Sequence, residues 1–350
     1  MEKINYMIII ATASLNSCTP STLNKMILAG ADILRFNLSY DTMEEKLDSI
    51  RVAQKIIEEL NGSQKILIDL PSPKVRLGNY PGGELLIKDG DSITLQSAEY
   101  SAQPSIALPV QYPEIGKELN AEQTIVIDEG EITLKVTYAI SPSSLECLAM
   151  NSGSILPLKG LYWRGQKINS DDVFNHTATT VLPFLVDIEP DFIACPIINN
   201  EAVAKKYIKA INDTVWKNKK PKIIFKIEDE EGVNEIEKIM PLCDTILLER
   251  GTLGMRSSFE KVGIYQKYVT QLCKKNRMQV IISTQILEST ITNFIPKRSE
   301  ILDLTNIVLD GAYGVMLCHE TGVGSRPAYS ISVAKKIIKE VEKNKKNILP

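Results

Sequence analysis

Several short stretches combine side chains that could handle an anion. Lys226-Ile-Glu228 places an ammonium and a carboxylate on the same side of an extended chain, because side chains alternate in a strand. Arg35-Phe-Asn37-Leu-Ser39 repeats polar side chains at that spacing, and Asp69 is followed closely by Lys74 and Arg76. Arg250-Gly251-Thr252-Leu-Gly254 joins a cation to glycines that leave backbone N–H groups accessible, while Ser283-Thr284-Gln285 and Glu320-Thr321 add hydroxyls and a carboxylate. Cations, carboxylates and a Gly-containing turn together suit an anionic, phosphorylated substrate. Any one of these groups alone reads as a solvated or salt-bridged residue; their recurrence at successive strand ends points to chemistry.

The elements that must position them are apolar runs without alternation, as expected of parallel strands covered on both faces. They are Met7–Ala11, Ile33–Asn37, Lys65–Asp69, Phe192–Cys195, Ile223–Ile227, Thr245–Leu248, Gln279–Ser283 and Gly314–Leu317. Helical patterns separate them at Ser21–Ala29, Thr42–Glu59, Glu201–Ile211, Glu231–Met240, Phe259–Asn276, Arg298–Leu309 and Pro327–Val341. This alternation predicts an α/β fold, a (β/α)8 TIM barrel formed by residues 1–76 and 166–350. The stretch 77–165 breaks the rhythm with scattered glycines, prolines and short β-type runs: Glu84–Ile87, Ser92–Leu95, Thr124–Ile127 and Ile132–Val136. It reads as a small all-β lid domain inserted after the third strand.

Composition narrows the function. The 350 residues are 44% hydrophobic and 24% charged with a net charge of −3, which suits a globular protein and excludes the basic face of a nucleic-acid binder. Lys217-Asn-Lys-Lys-Pro and Lys343-Asn-Lys-Lys read as solvated loop and helix ends. The six cysteines form no CxxC pair and there are only two histidines, so free thiols in a reducing compartment, not a zinc site, are expected. Lys3, the apolar run Met7–Ala11 and Leu15-Asn-Ser-Cys18 superficially match a lipoprotein signal, but the run is short and fits a first barrel strand. No stretch approaches the ~18 apolar residues of a membrane span.

In order along nearly the whole chain, several segments resemble the pyruvate kinase family, which transfers phosphoryl between phosphoenolpyruvate and ADP. They are Ile33-Leu-Arg-Phe-Asn-Leu-Ser39, Lys222-Ile-Ile-Phe-Lys-Ile-Glu228 with Glu231-Gly-Val, Arg250-Gly-Thr-Leu-Gly254, Ser283-Thr-Gln-Ile-Leu-Glu-Ser289, Val308-Leu-Asp-Gly-Ala312 and Met316-Leu-Cys-His-Glu-Thr321. Ile127-Asp-Glu-Gly-Glu-Ile132 and Lys159-Gly160 extend the likeness into the insert. The resemblance implies that Lys226 steadies the transferring phosphoryl group, that Arg35 holds its phosphate, and that Thr284 stands near the enolpyruvate carbon where a proton is delivered. It implies Glu228 as a ligand of a divalent cation (Mg²⁺ or Mn²⁺), and substrate contacts at Gly251, Thr252 and Glu320. The nucleotide side would be Arg76 and Lys159, and the monovalent-cation site Asn37, Ser39 and Asp69.

The departures shape the expectation. Thr252 stands where the family's Arg-Gly-Asp-Leu-Gly pattern has a metal-binding Asp, which implies a weakened metal site and activity. Asp69-Leu-Pro-Ser-Pro-Lys74 ends in Lys where the family has Glu, as in relatives whose ammonium replaces potassium, so K⁺ independence is expected. Ala194-Cys-Pro196 lacks the family's Ser-Phe, Thr12-Ala-Ser-Leu lacks its Gly-Pro, and Cys318-His319 replaces Ser-Gly. His319 could be an acid or base, though a lone rim histidine is more often a surface residue. The chain ends where the family's C-terminal domain begins, which implies no sugar-phosphate control and a monomer or homodimer. The expected protein is a cytoplasmic pyruvate kinase-like phosphotransferase binding a small phosphorylated substrate and a nucleotide, with no nucleic-acid or membrane partner. The alternatives are a 2-oxoacid lyase or enolising enzyme, and an inactive binding protein.

Overall fold

The computed structural model describes residues 6–14, 17–39, 42–166 and 171–348. Lys3 and the Leu15-Asn16 part of the signal-like stretch lie outside the described residues. Two compact units emerge: Met1–Ser72, Asp171–Leu253 and Glu260–Pro350 form one, and Pro73–Ser170 with Gly254–Phe259 form the other.

The first unit is a closed barrel of eight parallel strands, β1 (Ile8–Thr12), β2 (Ile33–Asn37), β3 (Lys65–Asp69), β4 (Phe192–Cys195), β5 (Lys222–Ile227), β6 (Thr245–Glu249), β7 (Gln279–Ser283) and β8 (Gly314–Leu317). Each strand pairs with its sequence neighbours, and β8 closes onto β1 with Ile8 opposite Gly314. A closed parallel barrel leaves no edge and buries both faces of every strand, which is why the strands read as continuous apolar runs. Inside the barrel, Ile10, Ile33, Leu67, Ala194, Ile224, Leu247, Ile281 and Met316 pack together, one from each strand. Between the strands and the surrounding helices lies a second, larger core that includes Phe36, Leu34, Ile68, Phe225 and Ile246. Helix boundaries follow local chemistry: Thr42 and Glu45 form a capping box before Met43–Glu59, and Gly30 (φ 111°) ends Pro20–Ala29 in the left-handed region.

Three helical segments differ from the sequence reading. Asp171–Leu185 is helical with a π turn at Thr177–Val181, which the run Thr-Ala-Thr-Thr-Val hides through poor helix propensity. The pattern at Glu231–Met240 divides into Glu230–Asn234 and Ile236–Ile239. Arg250–Arg256 is a short helix, not an open turn, concealed by two glycines in seven residues.

The second unit is all-β. Its six-stranded sheet runs Leu161–Trp163, Thr124–Ile127, Ile132–Ser141, Ser144–Ala149, Ser92–Ser97 and Leu108–Val110, and Gly153–Ile155 pairs with Leu85–Ile87. Period-two burial of Ile132, Leu134 and Val136 builds its separate core with Ile125, Ile127 and Leu145. No described helix in either unit is long and apolar enough to cross a membrane.

Candidate active site

Alternation along the strands determines what lines the barrel above its apolar ring. Two residues beyond the ring, the inward positions are Thr12 on β1, Arg35 on β2, Asp69 on β3, Lys226 on β5, Glu249 on β6 and Ser283 on β7. Two residues further along from Lys226 comes Glu228.

Four of these groups form one buried charge network. The Arg35 guanidinium donates to Asp69 Oδ2 through Nε at 3.0 Å and Nη2 at 2.6 Å, and to Thr12 Oγ1 through Nη1 at 2.9 Å. The Lys226 ammonium lies 3.0 Å from Glu228 Oε1 and 3.2 Å from Asp69 Oδ1, the latter an ion-pair contact not aligned for a hydrogen bond. Glu228 Oε1 also accepts from the Ile197 N–H at 3.2 Å. Burial pushes the Lys226 ammonium towards losing its proton, but the carboxylates of Asp69, Glu228 and Glu249 outweigh it and its pKa stands above the ordinary value. Burial likewise pushes Asp69 up, and Lys226 and Arg35 together hold it below the ordinary carboxylate range. Arg35, Asp69 and Lys226 therefore stay charged at neutral pH. Glu228 is 1% exposed and its Oε2 has no hydrogen-bond partner among the described residues.

The β6–β7 side is built from backbone groups. Glu249 turns its carboxylate onto the start of the Arg250–Arg256 helix, accepting from Gly251 N–H at 3.1 Å and Thr252 N–H at 3.0 Å. Its Oε1 also accepts a short hydrogen bond from the Thr284 hydroxyl. Gly251 is required here: a Cβ at this position would stand 2.8 Å from Thr284 Cγ2 and 2.9 Å from Glu249 Oε1. Thr284 and Gln285 hold φ of 74° and 53°, unusual for residues with side chains and for β-branched Thr above all. Arg250 holds that conformation, reaching the Thr284 carbonyl at 2.6 Å while Nη1 is anchored on Asp303 at 2.7 Å and Gln266 at 2.9 Å. Arg250 is thus a positioning residue for Thr284.

The remaining sequence-predicted residues fall into three groups. Glu320 is buried and gives its oxygens to the N–H groups of Ile286, Leu287 and Cys318 at 3.1, 2.9 and 2.7 Å. It braces the β7 and β8 ends, and burial raises its pKa against those amides. At the β2 end, Asn37 Oδ1 accepts from Ser39 N–H at 2.9 Å, and Ser39 Oγ accepts from Ser72 N–H at 3.2 Å. Lys74, Arg76 and Lys159 belong to the β unit, where Arg76 donates to the Leu158 carbonyl at 3.1 Å and Lys159 pairs with Asp128 at 2.8 Å.

The family described as "Pyruvate kinase, barrel domain" matches residues 4–331. The chain belongs to the pyruvate kinase family. It is 30% identical over 343 residues to the pyruvate kinase of Thermococcus litoralis, covering 97% of this chain and 70% of that one. It is 29% identical over 336 residues to the pyruvate kinase of Thermotoga maritima, covering 96% and 71%. Among solved structures it is similar to a pyruvate kinase from Cryptosporidium parvum, with a TM-score of 0.82 and 26% identity, covering 97% of this chain and 70% of that chain.

Pyruvate kinase family membership implies a divalent cation. The unpartnered, buried Glu228 Oε2 fits one ligand oxygen, whereas Thr252 offers no carboxylate. Among the described residues no group of three or more His, Cys, Asp or Glu side chains is arranged to hold a metal ion. The fit is to one carboxylate, with the other coordination positions left to ligand oxygens and water. Glu249 is the site residue that motif reading passed over. Ending β6 at Leu248 left it out, yet its signal is in the sequence: Leu247 faces inward, so the residue two further on does too.

Proposed function

We propose that this pyruvate kinase-family chain is a cytoplasmic phosphotransferase that moves phosphoryl between a small enol phosphate of the phosphoenolpyruvate class and ADP or ATP. The observation that carries the reading is the buried Arg35–Asp69–Lys226–Glu228 ion-pair network at the strand ends. Two cations fixed by carboxylates in a dry site are pre-set to meet a phosphoryl group without reorganising, which is where most of phosphoryl-transfer catalysis originates. Arg35 would bind the phosphate, Lys226 would stabilise charge on the transferring oxygens, and the Thr284 hydroxyl would deliver a proton to the enol carbon. When bound at Glu228, Mg²⁺ or Mn²⁺ would supply positive charge beside those oxygens. Arg76 and Lys159 take the nucleotide side in this reading, and Lys74 makes potassium unnecessary.

The test is transfer from phosphoenolpyruvate to ADP by the purified chain in Mg²⁺ without potassium. A slow rate that falls by about 100-fold or more in Lys226→Ala and rises in Thr252→Asp is expected. Absence of transfer in all three proteins would leave an inactive binding protein as the better reading.

A further inference from the structure

The N–H groups of Gly251 and Thr252 and the hydroxyl of Thr284 converge on one point, and that point is filled by the chain's own carboxylate, Glu249. Three donors around one carboxylate form an anion slot, and the occupant is held by the same contacts a ligand carboxylate would use. We propose that Glu249 sets substrate class: the site prefers a phosphorylated ligand with no carboxylate at this turn, so phosphoenolpyruvate is a poor ligand that must displace Glu249. This rests on the phosphate-binding reading of Arg35 and Lys226 and deepens it.

Charge favours the same conclusion. The cluster holds two cations, Arg35 and Lys226, and three carboxylates, Asp69, Glu228 and Glu249. A ligand carrying phosphate alone meets the two cations. A ligand that also carries a carboxylate adds an anion beside Glu249, or must strip three donors from it. Space points the same way, because the approach between Thr284 and Glu249 is so close that even a methyl on Gly251 would collide with both. A hydroxyl, carbonyl or hydrogen on the ligand's enol carbon requires neither displacement nor a fourth carboxylate.

Binding of inorganic phosphate, phosphoenolpyruvate and oxalate, followed by calorimetry at one fixed Mg²⁺ concentration, tests the proposal. The proteins are the unmodified chain, Glu249→Ala, Glu249→Gln and Lys226→Ala, each checked for a native melting transition. Glu249→Ala should tighten phosphoenolpyruvate and oxalate by about tenfold or more, and inorganic phosphate by about threefold at most. Glu249→Gln, which fills the same volume without the charge, should give an intermediate gain and covers the case in which the alanine variant does not fold. Unchanged or weaker phosphoenolpyruvate and oxalate binding in both Glu249 variants overturns the proposal. So does an unmodified chain that binds phosphoenolpyruvate about tenfold more tightly than inorganic phosphate. Phosphate binding that is indifferent to Lys226→Ala fails differently: it removes the anion-site reading beneath the proposal, whatever Glu249 does.

Discussion

The two sides of the barrel mouth solve the same problem, charge without water, by different means. On the β2–β3–β5 side, long side chains satisfy one another: Arg35 on Asp69, and Lys226 between Asp69 and Glu228. On the β6–β7 side, backbone donors are satisfied by a carboxylate from the residue just before them, Glu249. The first side keeps its motif residues and keeps cations able to receive an anion. The second keeps the Arg-Gly and Thr-Gln of its motifs, and the carboxylate of Glu249, outside those motifs, accepts from their donors. A motif therefore accounts for a local geometry and not by itself for what occupies it.

If the first side depends on mutual charge, removing one cation should be costly. Lys226→Met keeps the apolar stem and deletes the ammonium, leaving Asp69 with Arg35 alone and Glu228 with only the Ile197 N–H. Breaking a buried ion pair from one end costs about 3–5 kcal/mol. Urea unfolding should show a loss of that size with an unchanged m-value. A loss below about 1 kcal/mol would mean that the carboxylates do not depend on the ammonium, and the contrast between the two sides would collapse.

If the second side depends on close backbone approach, it should be sensitive to volume rather than charge. Gly251→Ala puts a methyl at 2.8 Å from Thr284 Cγ2 and 2.9 Å from Glu249 Oε1, and Thr284 is already held at φ 74°. Neither neighbour can retreat freely, since Arg250 grips the Thr284 carbonyl and two amides grip Glu249. Overpacking of this kind costs about 1–3 kcal/mol, to be seen as a lowered thermal midpoint. An unchanged midpoint would show the turn to be looser than its contacts imply.

The barrel was legible because its signal is redundant. Eight apolar runs of strand length, seven of them followed by an amphipathic stretch and the third by the insert, suit little else, and five of the eight strands have the boundaries the pattern predicts. Arg35, Asp69, Lys226 and Glu228 were each legible as charged strand-end residues, but not as one network: the sequence reading set Asp69 with Asn37 and Ser39, and only the closed barrel brings it to Arg35 and Lys226. Glu249 was not legible, because a glutamate next to arginine at a strand end looks like the first residue of a loop. Glu320 was legible as a strand-end carboxylate, but its task is not written locally. Two of its three donors, Ile286 and Leu287, lie more than thirty residues away, and only the closed fold brings them within reach. The helix at Asp171–Leu185 was hidden for a third reason, since tertiary packing of Val181, Leu182 and Leu185 overrides weak local propensity.

The smallest effect should come from the rim residue whose chemistry looks most suggestive. His319 follows Cys318 at the β8 end, and its Nδ1 lies 2.8 Å from Glu288 Oε1. The imidazole side chain is 49% exposed, so water competes with the carboxylate for it and screens the pair. Glu320, one residue on, is turned inward to the Ile286, Leu287 and Cys318 amides and holds this segment in place without help from the imidazole. His319→Ala should therefore change stability by less than about 1 kcal/mol and leave phosphoryl transfer within about twofold. The decisive measurement is the pH profile of transfer between about 5.5 and 8, the range in which a histidine titrates. Superimposable profiles place His319 outside the chemistry, whereas loss of a limb near about pH 6.5 would move the proton-handling group from the Thr284 side to the β8 end.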